Sequence, residues 1–353
     1  MRKKTKTLSL SRLSKKEAVR LLKKGDLLEL GRMADGRKKA LHPGDTITFV
    51  VDRNINYTNV CINECRFCAF YRREGAPGAY VLGMNELFGK IEETLALGGT
   101  QILLQGGLNP SLGIKFHMNM LREIKYNFPS INIHGYSPPE ICYFAKCSSL
   151  TTRETLGLLK AAGLDSIPGG GAEVLSDRVR EAISPKKIRS SQWLSVMREA
   201  HGLGMRTTAT MMFGSVETAQ DIASHLEAIR ELQDETGGFT AFIPWSFQPG
   251  NTALKKTEPA TAVDYLRVLA VSRIFLDNVP NIQASWVTQG LKMAQVALRF
   301  GANDFGSTMI EENVVASAGV SYSVSMNDII EAIKASGLRP AQRDTRYNII
   351  RYF

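Results

Sequence analysis

Two rhythms of apolar residues alternate along this chain. Short runs rich in β-branched, apolar or aromatic residues recur at 46–51, 101–104, 131–134, 166–168, 207–213, 239–247, 282–287 and, more weakly, 303–307, and such runs suit buried strands. Between most of them lie the stretches 85–97, 112–128, 152–162, 190–204, 219–236 and 260–277, whose apolar positions have the spacing of a helix with one buried stripe. Alternation of this kind predicts an α/β fold with a parallel sheet and helical crossovers. About eight such units predict a (β/α)8 barrel of the TIM type, with a doubly wound sheet as the alternative. Helical spacing over 11–40 predicts an N-terminal helical extension. The expected division is an extension at 1–45, a barrel at 46–310 and a C-terminal segment packed on the barrel at 311–353, with no Pro-, Gly- or Ser-rich linker between them.

Composition narrows the function classes. With 353 residues and 44% hydrophobic content the chain can bury a large core. No apolar run approaches the roughly 20 residues that cross a bilayer, and the basic start MRKKTKTLSLSRLSKK lacks the apolar segment of a signal peptide. The expectation is a cytoplasmic protein with no membrane partner. A net charge of +10 raises nucleic acid as a partner, but the basic residues are scattered, denser only at the N-terminus and at Pro185-Lys186-Lys187. The charge is therefore read as attraction for an anionic small molecule, not for nucleic acid.

In a barrel the chemistry gathers where strands end. Those ends read Gln105-Gly106-Gly107, His134-Gly135-Tyr136-Ser137, Gly169-Gly170-Gly171-Ala172-Glu173, Met211-Met212-Phe213-Gly214, Trp245-Ser246-Phe247-Gln248, Trp286 and Asn303-Asp304. After the first strand comes Cys61-Ile62-Asn63-Glu64-Cys65-Arg66-Phe67-Cys68. Three thiolates so closely spaced suit a sulfur-rich iron centre, and on a cubane they leave one iron open. A closed zinc site wants a fourth ligand, which only His134, on another strand, is placed to give. Cys142 and Cys147 read as free thiols.

The CxxxCxxC pattern resembles the radical S-adenosylmethionine (SAM) superfamily. That resemblance implies a [4Fe-4S] cluster on Cys61, Cys65 and Cys68, whose open iron chelates the methionine moiety of S-adenosyl-L-methionine. It also places Phe67 near the adenine. Gln105, Gly106 and Gly107 stand where the superfamily carries its motif for the methionine amino group, although Leu108 replaces the usual acidic residue. Glu173, after three glycines that let backbone approach a ligand, takes the position of the acid that binds both ribose hydroxyls in related barrels; an acid at a helix N-terminus is the other reading. Longer blocks are more specific: RNINYTNVC, CRFCAFYRR, SPPEI, DSIPGGGAEVLSDRVR, ISPKK, EAHGLGMRTTATMMFG and LQDETGGFTAFIPWSFQPGNT. From about residue 45 onward they resemble the dehypoxanthine futalosine cyclase family of menaquinone biosynthesis, whose siblings are aminofutalosine synthase and the deazaflavin (F0) synthase halves.

The implied substrate is dehypoxanthine futalosine, cyclised through a radical at C4′ of its ribose, and the implied partner is an electron donor such as flavodoxin or ferredoxin. A base for the last proton is expected among His134, Tyr136, Glu140 and Asp304. An arginine clamp for the substrate carboxylate is expected among Arg72, Arg206 and Arg343. Trp245 and Trp286 are read as packing or as stacking surfaces, and Met211 and Met212 as barrel filling. An electron-transfer protein with the same cluster, or a zinc-binding module, is the alternative from another class.

Overall fold

The computed structural model describes residues 12–320 and 322–353; residues 1–11 of the expected extension lie outside the described residues. The described residues form eleven strands: β1 (Thr46–Val50), β2 (Asp52–Asn56), β3 (Gln101–Gln105), β4 (Asn132–Gly135), β5 (Ser166–Ile167), β6 (Arg206–Phe213), β7 (Phe239–Ser246), β8 (Asn281–Ile282), β9 (Asp304–Ser307), β10 (Arg339–Arg343) and β11 (Ile349–Tyr352). β2 to β8 form one seven-stranded sheet in sequence order, and every pair in it is parallel. A single residue, Val51, separates β1 from β2, and β1 pairs in parallel with β9. A bridge between Gln283 and Asp304 joins β9 to the residue after β8. The strands thus come round to their start, as the alternating pattern predicts.

Helices cover the outside, one or two in every crossover, and each lays an apolar stripe on the sheet. Ala219–Thr236 is representative. Thr218 and Asp221 cap its start reciprocally, Gly237 ends it in the left-handed conformation, and Ile222, Leu226 and Ile229 are buried. The bounds 152–162 and 219–236 coincide with the sequence reading, and the other predicted crossover helices shift by at most two residues at an end. The N-terminal extension is two helices, Lys15–Lys24 and Leu27–Leu41, separated where Asp26 caps the second. The expected strand over 282–287 is corrected: only Asn281–Ile282 is strand, and Trp286–Gln289 is helix.

The C-terminal residues complete the barrel's floor. β10 lies parallel beside β1, β11 returns antiparallel to it, and Met326–Ala335 packs as a helix against β10. The turn between the two strands carries Thr345, whose hydroxyl donates to Gln101 of β3 at 2.5 Å, and Tyr347, whose hydroxyl accepts from Gln283 at 3.0 Å. Among the described residues no helix is long and apolar enough to cross a membrane.

Candidate functional site

The cysteine loop leaves β2 and is tied down by its backbone. Cys61 N–H donates to Arg72 O at 3.0 Å, Ile62 N–H to Leu108 O at 3.1 Å, and Arg66 N–H to Ile183 O at 2.8 Å. Glycines after β3 admit it: a Cβ on Gly107 would come within 2.2 Å of Val60 O and 2.7 Å of Cys61 Cβ, and one on Gly106 within 2.5 Å of the Tyr57 ring. All five cysteines are free thiols. Burial pushes the Cys65 thiol up to about 12 and raises Cys68 as well, so neither is a stable bare thiolate. Backbone N–H groups of Tyr71 and Phe70 donate toward Cys68 and oppose that shift. Among the described residues no three His, Cys, Asp or Glu side chains converge as ligands of one ion. Three buried or half-buried thiols on one short loop suit a cluster, where each would bind its own iron and the iron charge would offset the burial.

Beside this loop stands Glu173. Its backbone adopts φ +42°, a left-handed conformation unusual for a residue with a Cβ, and its side chain is buried. Lys187 Nζ donates to Glu173 Oε1 at 2.7 Å and lies 5.2 Å from the Phe67 ring centroid, so Lys187 links the acid to the cysteine loop. Burial alone would depress the Lys187 ammonium, but the charges of Glu173 and then Cys65 outweigh it and raise it. Glu173 Oε2 lies 3.6 Å from Arg180 Nη1, beyond hydrogen-bond range, and has no hydrogen-bond partner among the described residues. A buried carboxyl oxygen without a hydrogen-bond partner is an acceptor open to a ligand's donor. The first turn of the following helix is served by Asp177 instead. Of this cluster, sequence reasoning missed Lys187, although the ISPKK block contained it.

A cavity of about 290 Å³ runs from this end of the barrel to its floor. Its lining includes Gln105, Glu173, Asn54, Trp245, Trp286 and Arg343. Gln105 packs near Gly170, where an added Cβ would meet Gln105 Nε2 at 2.6 Å. His134 also lines the cavity, with Nδ1 2.7 Å from Ser166 Oγ, and burial followed by the charge of Arg343 pushes it down to about 3, leaving it neutral. The remaining candidates are placed elsewhere. Tyr136, at φ +56°, turns its ring toward His117, Tyr57 and Phe144 and is not among the lining residues. Glu140 is held by Tyr57 Oη, Gly106 N, Ser137 N and Ser137 Oγ, at 2.6 to 3.0 Å. Asp304 is engaged by Arg343, Thr48 and the Gly306 amide. Arg72 wraps the carbonyls of residues 69–71, and Arg206 donates to Gly237 O on the barrel's opposite face. Of the three arginines only Arg343 lines this cavity, and Asp304 neutralises it. Met211 and Met212 are buried and do not line it.

A curled parallel sheet with a CxxxCxxC loop leaving its first strand, and a buried acid with one free oxygen beside that loop, define the class of radical SAM enzymes. The family model for the radical SAM superfamily matches residues 55–229, and that for the CofH/MqnC C-terminal region matches 236–352. The chain is 48% identical to the cyclic dehypoxanthine futalosine synthase of Halalkalibacterium halodurans, over 97% of this chain and 92% of that one. It is 42% identical to the 5-amino-6-(D-ribitylamino)uracil–L-tyrosine 4-hydroxyphenyl transferase of Methanocaldococcus jannaschii, over 96% and 97% respectively. Among solved structures, the FeFe-hydrogenase maturase HydG from Carboxydothermus hydrogenoformans superposes with a TM-score of 0.76 at 18% identity, covering 96% of this chain and 78% of that one. The chain belongs to the radical SAM superfamily, in the family that holds cyclic dehypoxanthine futalosine synthase.

Proposed function

We propose that this chain converts dehypoxanthine futalosine to cyclic dehypoxanthinyl futalosine in menaquinone biosynthesis. The observation that carries the reading is 48% identity over 97% of the chain to a protein of that name, joined to a cavity whose upper wall holds Glu173 beside the cysteine loop. Cys61, Cys65 and Cys68 would hold a [4Fe-4S] cluster, and Glu173 the ribose hydroxyls of S-adenosylmethionine. Together these groups supply, when bound, a radical able to take hydrogen from C4′ of the substrate ribose and an acceptor for the electron released when the ring rearomatises.

The chain's own residues do the rest. Phe67 and Gln105 flank the adenosyl side, while Gly106 and Gly107 let the cysteine loop sit against β3. Trp245 and Trp286 give the cavity flat apolar walls for the benzoate ring. Both reacting atoms belong to one molecule, so the barrel's task is to hold ribose carbon and ring in a near-attack geometry and to keep other hydrogen donors out. Of the expected bases His134 is the one that lines the cavity, and burial, which disfavours its imidazolium, makes it a weak acceptor for the ring proton. A flavodoxin or ferredoxin in the cytoplasm would deliver the electron at the exposed arginines 66, 72 and 73 around the loop.

Substrate deuterated at C4′ tests the reading. The label is expected in 5′-deoxyadenosine, with a product one deuterium and one hydrogen lighter than the labelled substrate. A heavier product, formed by joining two molecules as the name of the archaeal relatives describes, would overturn it.

A further inference from the structure

The RNINYTN block is where the structure leaves one side chain unexplained. Arg53 reaches outward to Lys90 O and Glu93; Asn56 Nδ2 contacts Gln105 O at 3.5 Å. Tyr57 donates to Glu140, Thr58 to Tyr80 O and Asn59 to Gly78 O. Each of these ties the cysteine loop or its flanks to the barrel. Asn54 does not. Strand alternation turns Val50, Asp52 and Asn54 into the barrel, and all three line the central cavity. Asp52 is answered there by Ser307 and Gln101. Asn54 is 5% exposed, its amide lies beside the Glu312 carboxyl and lowers that group's pKa against burial, and its Oδ1 has no partner among the described residues. Glu312 in turn is fixed by the backbone N–H groups of Val314, Val315 and Ala316, at 3.1, 2.7 and 3.2 Å. A carboxyl that is itself fixed thus stands beside the Asn54 amide, and the Asn54 carbonyl, without a partner, belongs to the cavity lining.

Only two residues of this cavity carry a buried side-chain atom with no partner among the described residues: Glu173 and Asn54. They come from different parts of the sheet, Glu173 from the loop beyond β5 and Asn54 from the middle of β2. A buried carbonyl oxygen without a donor is costly, and a preformed one in a ligand cavity is a demand for an O–H or N–H from the ligand. We propose that Asn54 Oδ1 accepts a hydrogen bond from a ribose hydroxyl of the substrate, and that Glu312 is the positioning residue that aims it. This rests on the function proposed above and adds the side chain that selects a hydroxylated sugar.

The test pairs variants of the cluster-loaded enzyme with substrate analogues each lacking one ribose hydroxyl, and reads equilibrium binding as well as turnover. In the unmodified enzyme one analogue should bind about tenfold to a hundredfold more weakly than the full substrate, because the orphan acceptor is left bare. Asn54→Leu should weaken the full substrate by a similar factor and abolish discrimination against that same analogue, with S-adenosylmethionine affinity unchanged. Asn54→Ala serves as a second variant should Leu disturb the strand, and Glu312→Gln should lose part of the discrimination. Equal discrimination by the unmodified enzyme and by both Asn54 variants would overturn the assignment, as would a loss of S-adenosylmethionine affinity in place of substrate affinity. Failure of the underlying function would look different: the unmodified enzyme would neither bind nor cyclise the full substrate.

Discussion

Arg343 sets two nitrogens against the two oxygens of Asp304, at 2.5 and 3.0 Å, with both side chains almost wholly buried. This forked pair joins β10 to β9 beneath the cavity, and the guanidinium also lies 3.8 Å over the Tyr347 ring. Removing one partner of a buried pair strands the other charge, at a cost of roughly 3–5 kcal/mol. Arg343→Ala should lower unfolding stability by about that amount. Arg343→Ala with Asp304→Asn should cost less than the sum of the single changes, as denaturant melts would show.

Cys61→Ala, Cys65→Ala and Cys68→Ala should each abolish the iron–sulfur absorbance of protein reconstituted without oxygen. Cys142→Ser and Cys147→Ser should retain it, because neither residue lies in the loop. Iron and sulfide analysis reads the outcome, and full iron content in Cys65→Ala would refute the ligand assignment.

Gly107→Ala tests the backing of that loop by a different route. The new methyl would press on Val60 O and Cys61 Cβ, and since backbone cannot rotate away, the loop must shift. Iron incorporation should fall while the barrel's circular dichroism persists, with a stability loss of roughly 1–3 kcal/mol. Normal iron content would mean the loop tolerates displacement.

Glu173→Gln retains size and one acceptor but not charge. Hydrogen bonds to charged groups contribute roughly 1.5–3 kcal/mol, so affinity for S-adenosylmethionine should drop about tenfold to a hundredfold with cluster absorbance intact. Equilibrium dialysis is sufficient to decide it.

Acid should destabilise the fold from near pH 6.5 downward. Burial, the leading cause in each case, holds His117, His134 and His225 at about 3 against an ordinary value of 6.5. As pH falls through 6.5 the unfolded imidazoles take up protons that the folded ones refuse. The stabilisation is therefore complete above that value and is lost progressively toward pH 3, by up to about 1.4 kcal/mol per pH unit for each ring. His117 stacks on Phe144 with centroids 3.9 Å apart, faces Tyr57, Phe116 and Tyr136 edge-on, and neither ring nitrogen has a partner among the described residues. His117→Phe should remove its share of the pH slope, which urea midpoints measured from pH 7 to pH 4.5 would show.

Much of the barrel was legible because its strands and helices carry different periods, and because three cysteines in eight residues have few other uses. What escaped has identifiable causes. β2 reads Asp-Arg-Asn-Ile-Asn, too polar for a buried strand, because its inward positions face a ligand cavity and not a packed core. Pro138–Cys147 begins with two prolines that look like a break, yet proline is tolerated in a helix's first turn, and Ser137 with Glu140 supplies the capping box. The run from Ile282 alternates like a strand, but the strand stops at Ile282 and a helix begins at Trp286, whose Nε1 donates to Ser307 O. Among the site residues, Glu173 was visible through the glycines before it. Lys187 and Asn54 were not, since a lysine in a basic stretch and an asparagine in a strand show their value only through the neighbours folding brings.

The two edges of β1 bear on how the chain reaches this state. Thr46 pairs with Arg339 and Thr48 with Asp304, so this early strand finds neither neighbour until most of the chain has left the ribosome. Contacts so distant in sequence slow folding, and an unpaired apolar strand is meanwhile a template for association with other nascent chains. Barrel closure is therefore expected late, after β9 has been made. Chains truncated before β9 lack the closing strand and should aggregate.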